Sequence, residues 1–292
     1  MASLKEVKGR INSVQNTRKI TSAMRMVASA KLHKAQAAIE NMLPYQRHLS
    51  NMLKDFLVCG AGSVHSIFEE KRTVDRVAIL VFSSNSSLCG GFNANVSKML
   101  ANVLSGYEHL GKEHALIFPI GRKVAEAVKS MGYDSQGDFE ELAEKPSYAE
   151  MAALASRLMS MYEKKQIDQV ELIYHHLRSV SSQVLMHEVY LPVDLSANSE
   201  GKVAEKPFRG EYIVEPSPKE LLDSLLPNVL RMKLFTVLLD SNASEHAARM
   251  MSMQTATDNA DELLQSLNVI YNNTRQQAIT NELLDIIGGS FQ

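Results

Sequence analysis

"SEHAARMMSMQTATDNADELL", residues 244–264, sets the architecture of the chain. It holds no Gly or Pro, yet its first half carries no stripe of Leu, Ile and Val. Ala247, Ala248, Met250, Met251, Met253, Thr255, Ala256 and Thr257 spread small and soft side chains around the cylinder instead, with Glu245 and Arg249 as the firm charges. Followed onward, His246, Met250, Met253, Thr257, Ala260, Leu264, Leu267, Tyr271, Thr274 and Ala278 alternate at spacings of four and three. That alternation predicts a helix paired along a narrow seam with left-handed supercoiling. No Gly falls between Glu211 and Ile287 and Pro227 is the last Pro, so a helix from Asn228 to Ile287 would extend ~90 Å at ~1.5 Å per residue.

The other end of the chain supplies a partner. Between Arg10 and Cys59 there is no Gly and one Pro, Pro44 in "NMLPYQR", which is expected to kink or break a helix. Leu4, Val7, Ile11 and Val14 form a seam that resumes, after a shift of register, with Ile20, Met24 and Val27. Residues 1–34 hold Lys5, Lys8, Arg10, Arg18, Lys19, Arg25, Lys31 and Lys34 against Glu6, a net of +7. Residues 237–292 hold Asp240, Glu245, Asp258, Asp261, Glu262, Glu282 and Asp285 against Arg249 and Arg275, a net of −5. Opposite strips favour association and register. A basic N-terminus also suits a mitochondrial transit peptide, but cleaving it would leave the acidic helix unpaired.

Between the ends the period changes. "VDRVAILVFSS" (74–84), "HALIFPIG" (114–121) and "DQVELIYHH" (168–176) are short apolar or β-branched runs separated by helical stretches near 91–108, 121–132 and 148–164. "QVLMHEVYLP" (183–192) adds a further strand, joined through "RSVSS" as a hairpin. A mostly parallel sheet with helices against it follows, and the polar 196–212 stretch reads as a surface loop. The fold class is α/β: coiled-coil helices at 1–60 and 217–288 around a central Rossmann-like domain at 74–212.

Composition removes several functions. A net charge of −2 is not that of a nucleic-acid or anionic-membrane binder. Cys59 and Cys89 form neither a CxxC nor a Cys/His quartet, and no apolar run reaches the ~18 residues of a membrane span. "SSNSSLCGGFN" (83–93) follows a strand and opens a helix, where backbone donors can cradle phosphate, but it matches neither GxGxxG nor GxxxxGK[ST]. Gly90-Gly91 is better read as a tight strand-to-helix turn. Cys89 has no readable base beside it and reads as a buried thiol. His175 and His176 are adjacent in a strand, so they point to opposite faces and cannot chelate together; His187 stands alone, and all three read as surface or hairpin histidines. No catalytic, cofactor or metal site is expected. A free-standing nucleotide-binding enzyme built on the middle domain and a coiled-coil scaffold are two readings this leaves open.

"INSVQNTRKITSAMRMVASAKLHKAQ" (11–36) resembles the N-terminal helix of the gamma subunits of rotary F-type ATP synthases. "SLCGGFN" (87–93) is similar to that family's Gly-Gly turn, and 243–264 with "YNNTRQQAITNELLDIIGGS" (271–290) resembles its C-terminal signature. The tail Gly289-Ser290-Phe291-Gln292 departs from the family pattern. The resemblance implies an antiparallel coiled coil turning inside a ring of three alpha and three beta subunits, with the α/β domain riding on the membrane c-ring beside the epsilon subunit. It implies a non-catalytic rotor without cofactor, peripheral on the cytoplasmic face of a bacterial inner membrane, without direct bilayer insertion or nucleic-acid binding. The match begins directly after Met1, as expected of a bacterial chain without a transit peptide. By residue-wise match, Arg275, Gln276, Thr280 and Glu282 would catch a beta loop, and Met24 and Arg25 would face acidic beta segments. Tyr45, Tyr212 and Glu215 would meet the membrane ring and epsilon. The soft residues of 244–264 would then give the shaft a low-friction surface.

Overall fold

Ten regular elements account for most of the computed structural model, which describes residues 3–58, 66–194, 214, 215 and 217–289. Helix α1 (Leu4–Val58) leads into strand β1 (Val77–Phe82), followed by α2 (Phe92–Gly106), β2 (Ala115–Ile120), α3 (Arg122–Ser130), α4 (Glu140–Glu144), α5 (Tyr148–Glu163), the hairpin of β3 (Gln169–Ser179) and β4 (Ser182–Leu191), and α6 (Pro218–Gly289). They form two compact units, one of Met1–Ala30 with Arg249–Gln292, the other of Lys31–Ala248.

The larger unit is a three-layer α/β body. Its sheet has the order β2-β1-β3-β4, with β1 parallel to both β2 and β3 and β4 antiparallel to β3. Every residue of the central strand "VAILVF" is buried, as expected of a parallel strand covered on both faces. Its alternation divides the core: Val77, Ile79 and Val81 pack with Val96 and Leu100 of α2 and Val124 and Val128 of α3. Ala78, Leu80 and Phe82 pack with Met151, Leu154 and Leu158 of α5 and Leu226, Leu230 and Leu234 of α6. Leu53 and Phe56 of α1 join this second face.

Helix α1 does not break at Pro44. Ile39 and Met42 before it and Leu49 and Leu53 after it all pack on the same core, and the proline itself is exposed, so one lost backbone bond is outweighed by contacts on both sides.

The smaller unit is an antiparallel helix pair. Arg18 meets Asp261 at 2.6 Å, Thr21 meets Thr257 at 2.9 Å, and the Arg25 guanidinium donates to the Gln254 carboxamide, so position numbers rise on one helix as they fall on the other. Val7, Ile11 and Leu264 form the apolar end of the seam, with Val14, Leu267 and Tyr271 packed against them. On α6 the expected positions from Met253 to Ala278 are all buried or half-buried. On α1 the expected register shift is absent: Ile20 is 60% and Val27 58% exposed, while Thr21 and Ala28 are buried. The seam keeps its four-three spacing by using a small and a polar residue where an apolar-only reading skips to the neighbouring face.

Candidate functional site

In doubly wound sheets ligands bind at the carboxyl ends of the strands, where the strand order reverses. Here that point lies between β1 and β3, and the chain's own atoms occupy it. Ser83 and Ser84 leave β1 into the turn that opens α2. Ser84 N–H donates to the Asn93 carboxamide oxygen at 3.1 Å, and the Asn93 amide donates to Ser84 Oγ at 2.8 Å. Leu88 and Gly90 turn with positive φ, 67° and 61°, which folds the loop back on itself.

The start of α3, the second place where free backbone donors could hold an anion, is closed in the same way. Arg122 N–H donates to Asn85 Oδ1 at 2.9 Å, Lys123 N–H to the Ser84 carbonyl at 3.1 Å, and Val124 N–H to Ser83 Oγ at 3.0 Å. Gly121 permits this approach: its φ is 103°, and a Cβ there would lie 2.5 Å from the Ser83 carbonyl oxygen.

Helix α6 then fills the crevice. All eight residues from Ser241 to Ala248 are buried. Asn242 donates to the Ala143 carbonyl at 2.9 Å and Ser244 Oγ to the His175 carbonyl at 3.1 Å. A void of about 10 Å³ remains, lined by Phe82, Ser83, Ile120, Ala143, Leu238, Ser241, Asn242 and Glu245. That is room for about one water. The small residues at 244–248 therefore serve close packing on the sheet, which corrects the reading of this part as bearing surface, and Glu245 is buried rather than a surface charge. Exposed soft positions begin further along, at Met251 and Thr255.

Histidine chemistry is also accounted for. His175 is buried and stacks on Phe92 with ring centroids 4.2 Å apart, so it is not the surface residue expected. Burial without a charged partner lowers its pKa to about 4. His176 points the other way and pairs with Asp240 at 2.5 Å. His187 pairs with buried Glu171 at 2.8 Å. Glu171 also accepts from Tyr107 at 2.5 Å, and burial together with that carboxylate pushes the phenol well above its usual range. Cys89 is a buried thiol between Phe92 and Ala248. Among the described residues no cluster of His, Cys, Asp and Glu could hold a metal, and no helix is long and apolar enough to cross a membrane.

The remaining candidates lie on helix surfaces. Extending the antiparallel step from Thr21 and Thr257 brings Ser3, the first described residue, beside the Arg275 and Gln276 region. Residues from there to Gly289 have no described residue of α1 opposite them. Arg275, Gln276, Thr280 and Glu282 are all exposed on this single helix, alongside exposed Ile279, Leu283, Leu284, Ile286 and Ile287. Thr280 Oγ1 donates back to the Gln276 carbonyl at 2.9 Å. Met24 and Arg25 are half-buried in the coil, and the tie of Arg25 to Gln254, which donates in turn to Asp258 at 2.8 Å, has no counterpart in the linear pattern. Tyr45 and Glu215 are exposed, and Tyr212 and the 196–212 loop lie outside the described residues.

A sequence model described as ATP synthase matches residues 3–291. The chain is 63% identical over 290 residues to the ATP synthase gamma chain of Phocaeicola vulgatus, covering 99% of each. It is 60% identical over 294 residues to that of Bacteroides fragilis strain YCH46, again 99% of each. Among solved structures, a chain from the Euglena gracilis mitochondrial ATP synthase assembly of OSCP, F1 and c-ring aligns with TM-score 0.62 at 17% identity, covering 99% of this chain and 93% of that one. At that identity the likeness bears on fold alone.

Proposed function

The chain belongs to the ATP synthase gamma family, and we propose that it is the central rotor shaft of an F-type enzyme, coupling ion-driven rotation of a membrane ring to ATP synthesis or hydrolysis on other subunits. Its partners in this reading are three alpha and three beta subunits around the coil, and the epsilon subunit and c-ring at the α/β body. The complex sits on the cytoplasmic face of a bacterial membrane, with this chain peripheral to it. In this reading residues 1–60 and 217–288 supply the shaft helices and 74–212 the body, with α1 from Lys31 and α6 up to Ala248 built into the larger unit.

The chain performs no bond chemistry of its own. What supports this is the crevice: donors that would hold a phosphate are bonded to Ser83, Ser84, Asn85 and Asn93, and Ser241–Ala248 fill the space a substrate would need. Its work is differential contact. A shaft that meets three equivalent sites couples to them only if each orientation stabilises one conformation of a site over another. A two-helix coil without three-fold symmetry meets that condition.

The observation that carries the reading is the single-helix end of α6, where Arg275, Gln276 and Glu282 are exposed. These residues, with Thr280, are assigned to beta-subunit contact, as are Met24 and Arg25; Tyr45, Tyr212 and Glu215 are assigned to the ring and epsilon. Arg25 donates to Gln254 through one guanidinium nitrogen and has no other side-chain partner among the described residues, which leaves donors for a partner subunit. Native mass spectrometry of the chain mixed with alpha and beta subunits from the same source tests the assembly. One copy with three alpha and three beta is the expected mass; a homodimer through the helices would replace the rotor with a scaffold.

A further inference from the structure

Within the larger unit, the α1 segment 46–54, the end of β4 with Val193 and Asp194 beyond it, and the α6 segment 226–233 line an open-sided cavity of about 370 Å³. That volume falls in the range of small-molecule sites. Leu49, Leu53, Val189, Val193, Leu226 and Val229 supply the apolar part of its wall, and polar surface makes up about as much again. Three charged side chains also line it, Lys54, Lys233 and Asp194. Lys233 Nζ lies 3.5 Å from Glu188, and Asp194 has a contact of its own. Lys54 is half-buried and has neither an ion pair nor a hydrogen bond among the described residues. Gln46, Ser50 and Tyr190 add uncharged polar groups, and the Tyr190 hydroxyl already donates to the Leu230 carbonyl at 2.9 Å.

We propose that this cavity binds an aliphatic monocarboxylate, its tail along Leu49, Leu53 and Leu226 and its carboxylate on the Lys54 ammonium, with Lys233 as the second cation. The reasoning is one of matching both parts of the wall. A neutral hydrocarbon would cover the apolar surface but leave the half-exposed Lys54 ammonium without a counter-charge. An inorganic anion would answer the ammonium but leave the apolar surface wet. A carboxylate carried on an aliphatic chain does both, and a charge-assisted hydrogen bond to Lys54 fixes its direction. The inference does not depend on the rotor reading, because the cavity lies wholly within one unit of the free chain.

Isothermal titration of the full-length chain with dodecanoate, kept below its micelle concentration, tests it, with dodecyltrimethylammonium as the opposite-charge control. One saturable site for dodecanoate and none for the ammonium amphiphile is the expected result. Lys54→Met keeps the aliphatic stem and removes the charge, and should weaken binding roughly tenfold to a hundredfold; Lys54→Arg should restore it. Val229→Phe narrows the cavity and should weaken binding with the charge intact. Thermal melts of each variant without ligand report whether it folds. No saturable heat, equal affinity for the two amphiphiles, or a folded Lys54→Met variant that binds as the parent does would each overturn the proposal.

Discussion

The hydroxyls of Thr21 and Thr257 lie 2.9 Å apart in the buried seam of the coil, each also within reach of a carbonyl of its own helix, Arg18 at 3.1 Å and Met253 at 2.7 Å. Polar pairs in such seams favour one register at a cost in stability. Valine is close in shape to threonine, so each single Thr→Val change should cost about 1 kcal/mol by leaving the other hydroxyl facing a methyl group. The double change should cost less than the sum of the singles. Urea melts of the four proteins in a double-mutant cycle measure this; additive losses would mean the two hydroxyls do not interact.

Gly121 is required by its surroundings. With φ at 103° and a Cβ that would stand 2.5 Å from the Ser83 carbonyl oxygen, Gly121→Ala must displace backbone at the sheet's carboxyl edge. A loss of about 2–3 kcal/mol is expected. Gly106→Ala is the control, because nothing lies within 4 Å of the added atom. Equal melting of the two variants would show that the turn yields more easily than its geometry implies.

The contrast between these glycines shows what could be read in advance. The α6 seam was legible from Met253 to Ala278 because a repeating spacing is a property of one helix alone. The strands were legible for a similar reason, since "VAILVF" is apolar throughout and bounded by polar residues. The need for Gly121 depends on Ser83, which is distant in sequence, and no local pattern carries it. The same holds for Ser241–Ala248, where small polar residues give no hydrophobic signal and their burial comes wholly from the sheet they cover. On α1 the signal misled, because Ile20 and Val27 are apolar and exposed while Thr21 holds the seam. The exposed candidates Arg275 and Glu282 were legible through family resemblance, whereas the internal bond of Arg25 required the partner helix.

His175 makes stability depend on pH in a defined direction. Its folded pKa is lowered to about 4, below the ordinary value of 6.5, so the unfolded chain binds the proton more readily. Its contribution is complete above pH 6.5 and is lost as pH falls towards 4. Between pH 7 and pH 5 the loss from this group is about 2 kcal/mol. His175→Leu removes the titrating ring, so its stability should fall less than that of the parent over the same interval. Parallel pH dependence of the two urea midpoints would show that the buried ring does not titrate in this way.

Ala247 and Thr255 separate packing from surface on one helix. Ala247 is fully buried at the sheet, and Thr255 is exposed on the coil. Ala247→Leu should destabilise the chain by about 1–3 kcal/mol through overpacking, whereas Thr255→Leu should stay within about 0.5 kcal/mol. Thermal denaturation distinguishes them. A tolerated leucine at position 247 would mean that α6 can lift from the sheet at little cost.

The rotor assignment makes its sharpest claim at Arg275 and Glu282. Both are exposed, neither has an ion pair or hydrogen bond among the described residues, and no described residue of α1 lies opposite that part of α6. Changing both to Ala should therefore leave the melting of the isolated chain within about 0.5 kcal/mol of the parent. In the reassembled complex the same change should lower ATP-driven proton pumping, because an orientation-dependent contact with the catalytic ring would be removed. Thr280→Ala provides the comparison: its hydroxyl is already bonded to the Gln276 carbonyl, so a smaller effect is expected. Pumping and hydrolysis at parent rates in the Arg275/Glu282 double variant would place torque transmission on other residues of the shaft.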